Sequence, residues 1–119
     1  PAIVSASIGC IDMLSKSNLL VKKLKNNTLF FREKMTKAGF NLKKGVHSIV
    51  PIMLGDAKLA QIFASKMLDE GIYVIGFFFP VVPKNEARIR VQISADHERV
   101  QLEKAISAFI KVGKELGVI

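Results

Sequence analysis

The segment Ala87-Arg88-Ile89-Arg90-Val91-Gln92-Ile93-Ser94 alternates strictly between apolar and polar side chains after its first residue. A period of two is that of a β-strand. It puts Ile89, Val91 and Ile93 on one face and Arg88, Arg90, Gln92 and Ser94 on the other. The apolar face requires a core beneath it. The polar face carries two guanidinium groups roughly 7 Å apart along the strand. Such a pair suits an anion, because the planar arginine fork meets a carboxylate with two parallel hydrogen bonds. On the pattern alone, a solvent-facing strand with ordinary arginines is the alternative.

The segments on either side supply the layers such a strand needs. Upstream, Ser48 to Leu54 is a short β-branched run interrupted by Pro51, which cannot donate to a ladder and so belongs at an edge or a bulge. Ile72 to Phe79 is a second candidate strand. It is apolar on both faces, so both are expected to be covered. Between these two, Asp56 reads as the N-cap of a helix over Ala57 to Glu70, which Gly71 ends. Downstream, a helix is expected from Asp96 or His97 to Leu116, with Val100, Ile106, Phe109, Ile110 and Gly113 on its inner face.

The N-terminal third is helical by the same periodicity. Ile3, Ala6, Cys10 and Leu14 mark a helix over residues 2–14, interrupted at Ser15-Lys16-Ser17. Ser17 or Asn18 is placed to cap the next helix, Leu19 to Ala38. In that helix Leu20, Leu24, Thr28, Phe31 and Met35 line one side, lysines fill the other, and Gly39 is the terminator. The order α-α-β-α-β-β-α predicts one α+β domain over 1–119, in two layers, with a short, mostly antiparallel sheet packed on helices.

Composition narrows the classes. With 119 residues there is length for one core. Half the residues are hydrophobic at a net charge of +8, so some apolar surface is expected to face a partner. The helix over 2–14 and the strand around Phe77–Phe79 are the expected uncovered surfaces, with self-association as the consequence. The single cysteine, Cys10, excludes an internal disulfide and a cysteine-rich metal site, and reads as a small buried apolar residue. The cytoplasm is the simplest compartment. No run reaches the roughly 18 apolar residues of a membrane span, and the Pro1-Ala2-Ile3-Val4 opening is not a signal peptide. A start at Pro1 suggests a piece of a longer chain.

Residues 1–47 hold nine Lys/Arg against two acids, and residues 48–119 hold nine against eight. A basic third could attract nucleic acid, so a non-catalytic basic binding module is a reading to weigh. Its aromatics, Phe30, Phe31 and Phe40, fall largely on the apolar helical pattern, which favours a solvated lysine face and no nucleic-acid partner. Motifs of the GxGxxG, GxxxxGK[ST], HExxH and GxSxG kinds are absent. His47 is expected in a loop before a strand and His97 in the first turn of the last helix, neither with a catalytic role.

Three blocks together carry a resemblance: Glu70-Gly-Ile-Tyr-Val-Ile-Gly-Phe-Phe-Phe-Pro-Val-Val-Pro-Lys84, Ala87-Arg-Ile-Arg-Val-Gln-Ile-Ser-Ala95 and Val50-Pro-Ile-Met-Leu-Gly-Asp56. With the opening at Pro1 and the ending Val112 to Ile119, nearly the whole chain resembles the C-terminal domain of the pyridoxal-phosphate-dependent α-oxoamine synthases, enzymes of fold type I. The resemblance implies a parent enzyme that joins an amino acid to an acyl-CoA. The best-matching member type joins glycine and acetyl-CoA to give 2-amino-3-ketobutyrate and CoA in threonine breakdown; 8-amino-7-oxononanoate and 5-aminolevulinate synthases are the sister types. It further implies a homodimer, a large pyridoxal-phosphate-binding domain in the same chain, and residues 1–16 as the helix leaving that domain.

By the same resemblance the second arginine of the motif, Arg90, grips the amino-acid carboxylate, while Arg88 receives no specific role. The Pro80–Pro83 loop is expected to shape the substrate entrance. No catalytic, cofactor-binding or metal-binding residue is assigned: the family's Schiff-base lysine and ring-binding residues lie upstream of the matched region, and Lys84 and Lys111 read as solvated. Asn85 departs from the family, which has Gly there, but Asn also tolerates a left-handed turn.

Overall fold

The computed structural model describes residues 1–119. Its elements are α1 (Ala2–Lys16), α2 (Leu19–Lys37), β1 (Ile49–Gly55), α3 (Ala57–Asp69), β2 (Ile75–Phe77), β3 (Ala87–Gln92) and α4 (Arg99–Glu115). The strand order is β1-β3-β2, and both pairings are antiparallel. The arginine strand is therefore central. One layer is the sheet, and α2, α3 and α4 form the other, as the α+β expectation requires.

The core lies between the layers. Val50 and Ile52 of β1 and Ile89 of β3 are fully buried, as are Phe31 and Met35 of α2, Phe63 and Met67 of α3, and Phe109 of α4. Phe109 is the hub of the aromatic packing. Its ring meets Phe31 and Phe40 edge-on at centroid separations of 6.1 and 6.2 Å, and Phe63 lies 5.7 Å away. These are the separations at which aromatic quadrupoles attract.

The punctuation follows local chemistry. Asp56 Oδ1 accepts from the Leu59 N–H at 2.7 Å and so caps α3. Gly39 and Gly71 close α2 and α3 at φ 103° and 75°, backbone that a side chain would strain. Pro51 lies on an edge strand. Its carbonyl accepts from the Lys43 N–H on the outer side, where Met53 N–H also donates to Asn41 O, so its missing N–H faces away from β3.

Several expectations are corrected. The second strand covers only Ile75–Phe77, not Ile72–Phe79, because β3 offers it partners only over Arg88–Arg90. Its apolar faces are not both covered: Tyr73 and Phe79 are exposed. α1 runs through Ser15 to Lys16, since the Ser15 hydroxyl donates to Ile11 O within the helix. Cys10 is exposed, because α1 buries none of its residues. Asn18 is at the N-cap of α2 but its side chain makes no capping bond; Ser17 Oγ accepts from the Leu19 N–H instead. Leu20 and Val100 are exposed, each lying in the first turn of its helix beyond the reach of the core. His97 precedes α4, whose N-cap is Glu98, with the Glu98 N–H donating to Gln101 Oε1.

Candidate functional site

β3 alternates as its sequence predicts. Ile89 points into the core, and Arg88, Arg90 and Gln92 lie on the opposite face. Register then supplies their neighbours. Arg90 stands opposite Pro51 on one side and Ile75 on the other; Arg88 stands opposite Met53 and Phe77. Cross-strand partners share a face. The outer face of the sheet therefore gathers Ile49, Pro51, Met53, Ile75, Phe77, Arg88, Arg90 and Gln92.

The two arginines have different fates. Arg88 Nε donates to Glu86 O at 3.0 Å, and its terminal nitrogen pairs with Glu86 Oε2 at 2.8 Å. Its side chain is only 13% exposed. Arg88 is engaged by its own strand and is not the second arm of an anion clamp. Arg90 is exposed and makes no side-chain hydrogen bond or ion pair, since Pro51 and Ile75 offer it no acceptor. Its guanidinium carbon lies 3.9 Å from the centroid of the Phe77 ring. Stacking over an aromatic face fixes the plane of the fork and leaves its N–H edges free for an incoming carboxylate. The sequence marked the strand around Phe77 as uncovered surface but did not link Phe77 to Arg90; that link needs the register that sets Phe77 opposite Arg88.

A third arginine is structural. Arg32 donates to the carbonyls of Lys43, His47 and Ile49, which ties the chain before β1 to α2. Its Nε is buried without a partner, and desolvation lowers its pKa. The histidines act on the backbone: Nδ1 of His47 accepts from Ile49 N–H and Nδ1 of His97 from Ser94 N–H, both at 3.1 Å. His97 also lines the cavity of about 550 Å³ that opens beside Arg90, whereas His47 does not. The Pro80–Pro83 loop does not line that cavity. It folds into a turn in which Val81 N–H donates to Phe78 O, and Asn85 takes the left-handed conformation at φ 63°. Lys84 lies over the Phe79 ring and Lys111 pairs with Glu70, which raises the Lys111 pKa. No three His, Cys, Asp or Glu side chains cluster in the way a metal site needs. No helix is long and apolar enough to cross a membrane.

The sequence model of the family described as aminotransferase class I and II matches residues 1–109. Over all 119 residues the chain is 52% identical to 2-amino-3-ketobutyrate coenzyme A ligase of Escherichia coli K12, and 46% identical to the mitochondrial enzyme of that name from Homo sapiens. These alignments span 30% and 28% of those proteins. An 8-amino-7-oxononanoate synthase of Thermoanaerobacter pseudethanolicus is 41% identical over the same length, which is 30% of that protein. Among solved structures, serine palmitoyltransferase from S. paucimobilis, with PLP and myriocin bound, superposes at a TM-score of 0.77 and 28% identity, covering 82% of this chain and 25% of that one. The chain thus spans under a third of the length of the relatives it matches.

Proposed function

Because the chain belongs to the aminotransferase class I and II family, we propose that it is the substrate-gripping C-terminal domain of a pyridoxal-phosphate-dependent acyltransferase of the glycine C-acetyltransferase type. The reaction proposed for the parent joins glycine to acetyl-CoA and releases 2-amino-3-ketobutyrate and CoA. The 52% identity to 2-amino-3-ketobutyrate coenzyme A ligase supports that choice. The 41% identity to an 8-amino-7-oxononanoate synthase favours an α-oxoamine synthase of that type as the second reading.

The observation that carries the proposal is Arg90: a central-strand guanidinium, stacked on Phe77, with no internal partner. Its role is to take the amino-acid carboxylate with both arms of its fork. A carboxylate held at two points has its plane and position fixed, which restricts the orientations open to the Cα–H bond, and part of the rate comes from that positioning. Pyridoxal phosphate, when bound to the parent, supplies the electron sink for chemistry at that carbon. The outer face of this chain's sheet does not fit the cofactor itself. Ile49, Pro51, Met53, Ile75, Phe77, Arg88, Arg90 and Gln92 include no lysine to hold its aldehyde carbon, and none of them is assigned to it.

Residues 1–16 are proposed as the helix that leaves the cofactor domain of the same chain. The support is that α1 is apolar yet buries nothing here. A homodimer and a cytoplasmic compartment complete the reading; a mitochondrial one belongs by name to the human relative.

The test is Arg90→Lys in the full-length parent. A lysine keeps the charge but loses the bidentate contact, so one charge-assisted hydrogen bond of about 1.5–3 kcal/mol is removed. The KM for glycine should rise by about ten- to a hundredfold. Glycine kinetics that match those of the unsubstituted enzyme would remove Arg90 from the substrate site.

A further inference from the structure

β2 stops at Ile75, although the same register would go on to set Val74 against Val91 and then Tyr73 against Gln92. Neither main-chain group of that pair bonds to the other. The 71–75 segment instead leaves the sheet and opens the cavity of about 550 Å³ between itself, the end of β3 and α4. A volume of this size lies in the range of small-molecule sites, roughly 300–1,000 Å³. Half-buried apolar side chains wall it, among them Ile72, Val74, Val91 and Ala105. Arg90 and Lys104 stand on its rim, and none of its 17 lining residues is Asp or Glu. Neither cation has an ion pair or a side-chain hydrogen bond, whereas Lys23, Lys37, Lys66 and Lys111 all have acidic partners. The ammonium of Lys104 lies over Gly71, at the start of the segment that forms the cavity's outer wall.

We propose that this cavity binds a monocarboxylate with an apolar tail, its tail against Ile72, Val74, Val91 and Ala105 and its carboxylate between Lys104 and Arg90. Charge complementarity selects the anion, since two free cations and no carboxylate face the space. The apolar wall selects the tail, because burying hydrocarbon there removes both surfaces from water. The site shares Arg90 with the amino-acid reading, but Lys104 and the wall belong to it alone. An occupant would compete with the amino-acid carboxylate for Arg90.

Calorimetric titration of decanoate into the full-length parent tests this, with butyrate as the ion that lacks the tail. Decanoate should bind at least about tenfold more tightly than butyrate. Lys104→Glu, which reverses the charge, and Ala105→Trp, which fills the wall, should each weaken decanoate by about tenfold or more, and Lys104→Arg should retain it. Thermal melting of each variant separates loss of the site from loss of the fold. The proposal is overturned if decanoate does not bind the full-length protein, as when another segment of the chain fills the cavity. It is equally overturned if Lys104→Glu and Ala105→Trp leave decanoate affinity unchanged. A decanoate loss confined to Arg90→Lys would place the anion in the amino-acid position and sink this site alone. Unchanged glycine kinetics in Arg90→Lys, with decanoate weakened by Lys104→Glu, would leave this site standing and sink the other reading.

Discussion

α1 and α4 are helices of similar length with opposite relations to the core. α1 has 15 residues, is the more apolar of the two, and buries none of them. α4 has 17 residues, a roughly balanced composition, and buries six: Leu102, Ile106, Ala108, Phe109, Val112 and Gly113. No side-chain hydrogen bond or ion pair links α1 to the rest of the chain: its serines Ser7 and Ser15 bond only to its own carbonyls. α4 is held at its N-cap by the Lys23–Glu98 pair and in its last turn by Lys66–Glu115. Apolar content therefore does not decide burial. What decides it is whether the apolar stripe meets a complementary surface, and the stripe of Ile3, Val4, Ile8, Ile11 and Leu14 on α1 meets none in this chain.

The largest test of this contrast is a pair of truncations read by urea denaturation of this chain. Phe109→Ala should cost about 3–5 kcal/mol, because it empties the centre of the aromatic cluster. Ile8→Ala in α1 should stay within about 0.5 kcal/mol, since the side chain touches no core. A large loss from Ile8→Ala would show that α1 is covered after all.

The next test uses two glycines. A Cβ at Gly113 would lie 2.6 Å from Phe40 Cζ and 3.1 Å from Ile119 Cγ1. The Phe40 ring is wedged against Phe63 and Phe109 and cannot yield, so Gly113→Ala should destabilise by about 1–3 kcal/mol. A Cβ at Gly9 meets nothing within 4 Å. Gly9→Ala should stabilise α1 by about 0.5–1 kcal/mol through helix propensity alone, visible as added helicity by circular dichroism. Equal signs for the two substitutions would break the comparison.

The smallest effect concerns acid. The hydrogen bond from Lys23 holds the Glu98 carboxyl below its ordinary value of 4.5. A depressed carboxyl contributes stability above its unfolded pKa and loses that contribution as pH falls through the folded value. Lys23→Ala should therefore lower the melting temperature slightly at neutral pH, and the difference should shrink to nothing on the acid side of the carboxylate range. Melting curves of Lys23→Ala and the unsubstituted chain across pH check this.

How much of this was legible in the sequence varies with the physics. The helices were, because a 3.6-residue stripe leaves little choice of face: Phe31 and Met35, Phe63 and Met67, and Ile106 and Phe109 are all buried as their spacing requires. So was the central strand, by its alternation. The length of β2 was not. Ile72 to Phe79 is uniformly apolar, and only its pairing partner, visible in three dimensions, limits it to three residues. The exposure of α1 was expected, but its periodic stripe records only that something is meant to cover it and not what. Arg88 and Arg90 look equivalent in the sequence. The distinguishing signal was local: Glu86, two residues before Arg88, shares its face by the strand period and captures it, while Arg90 has no acid at that spacing. Phe77 and Lys104 come to Arg90's surroundings from other elements, and sequence spacing could not bring them there.

Pro51 has a wider consequence. Its carbonyl and the Met53 N–H bond the returning 41–43 segment, and the residue itself has no donor to offer. An edge strand with free N–H and C=O groups is a template for a stranger's strand. At the middle of β1 that template is already occupied, so a further chain stacking into a fibre would meet an interrupted ladder on this border of the sheet.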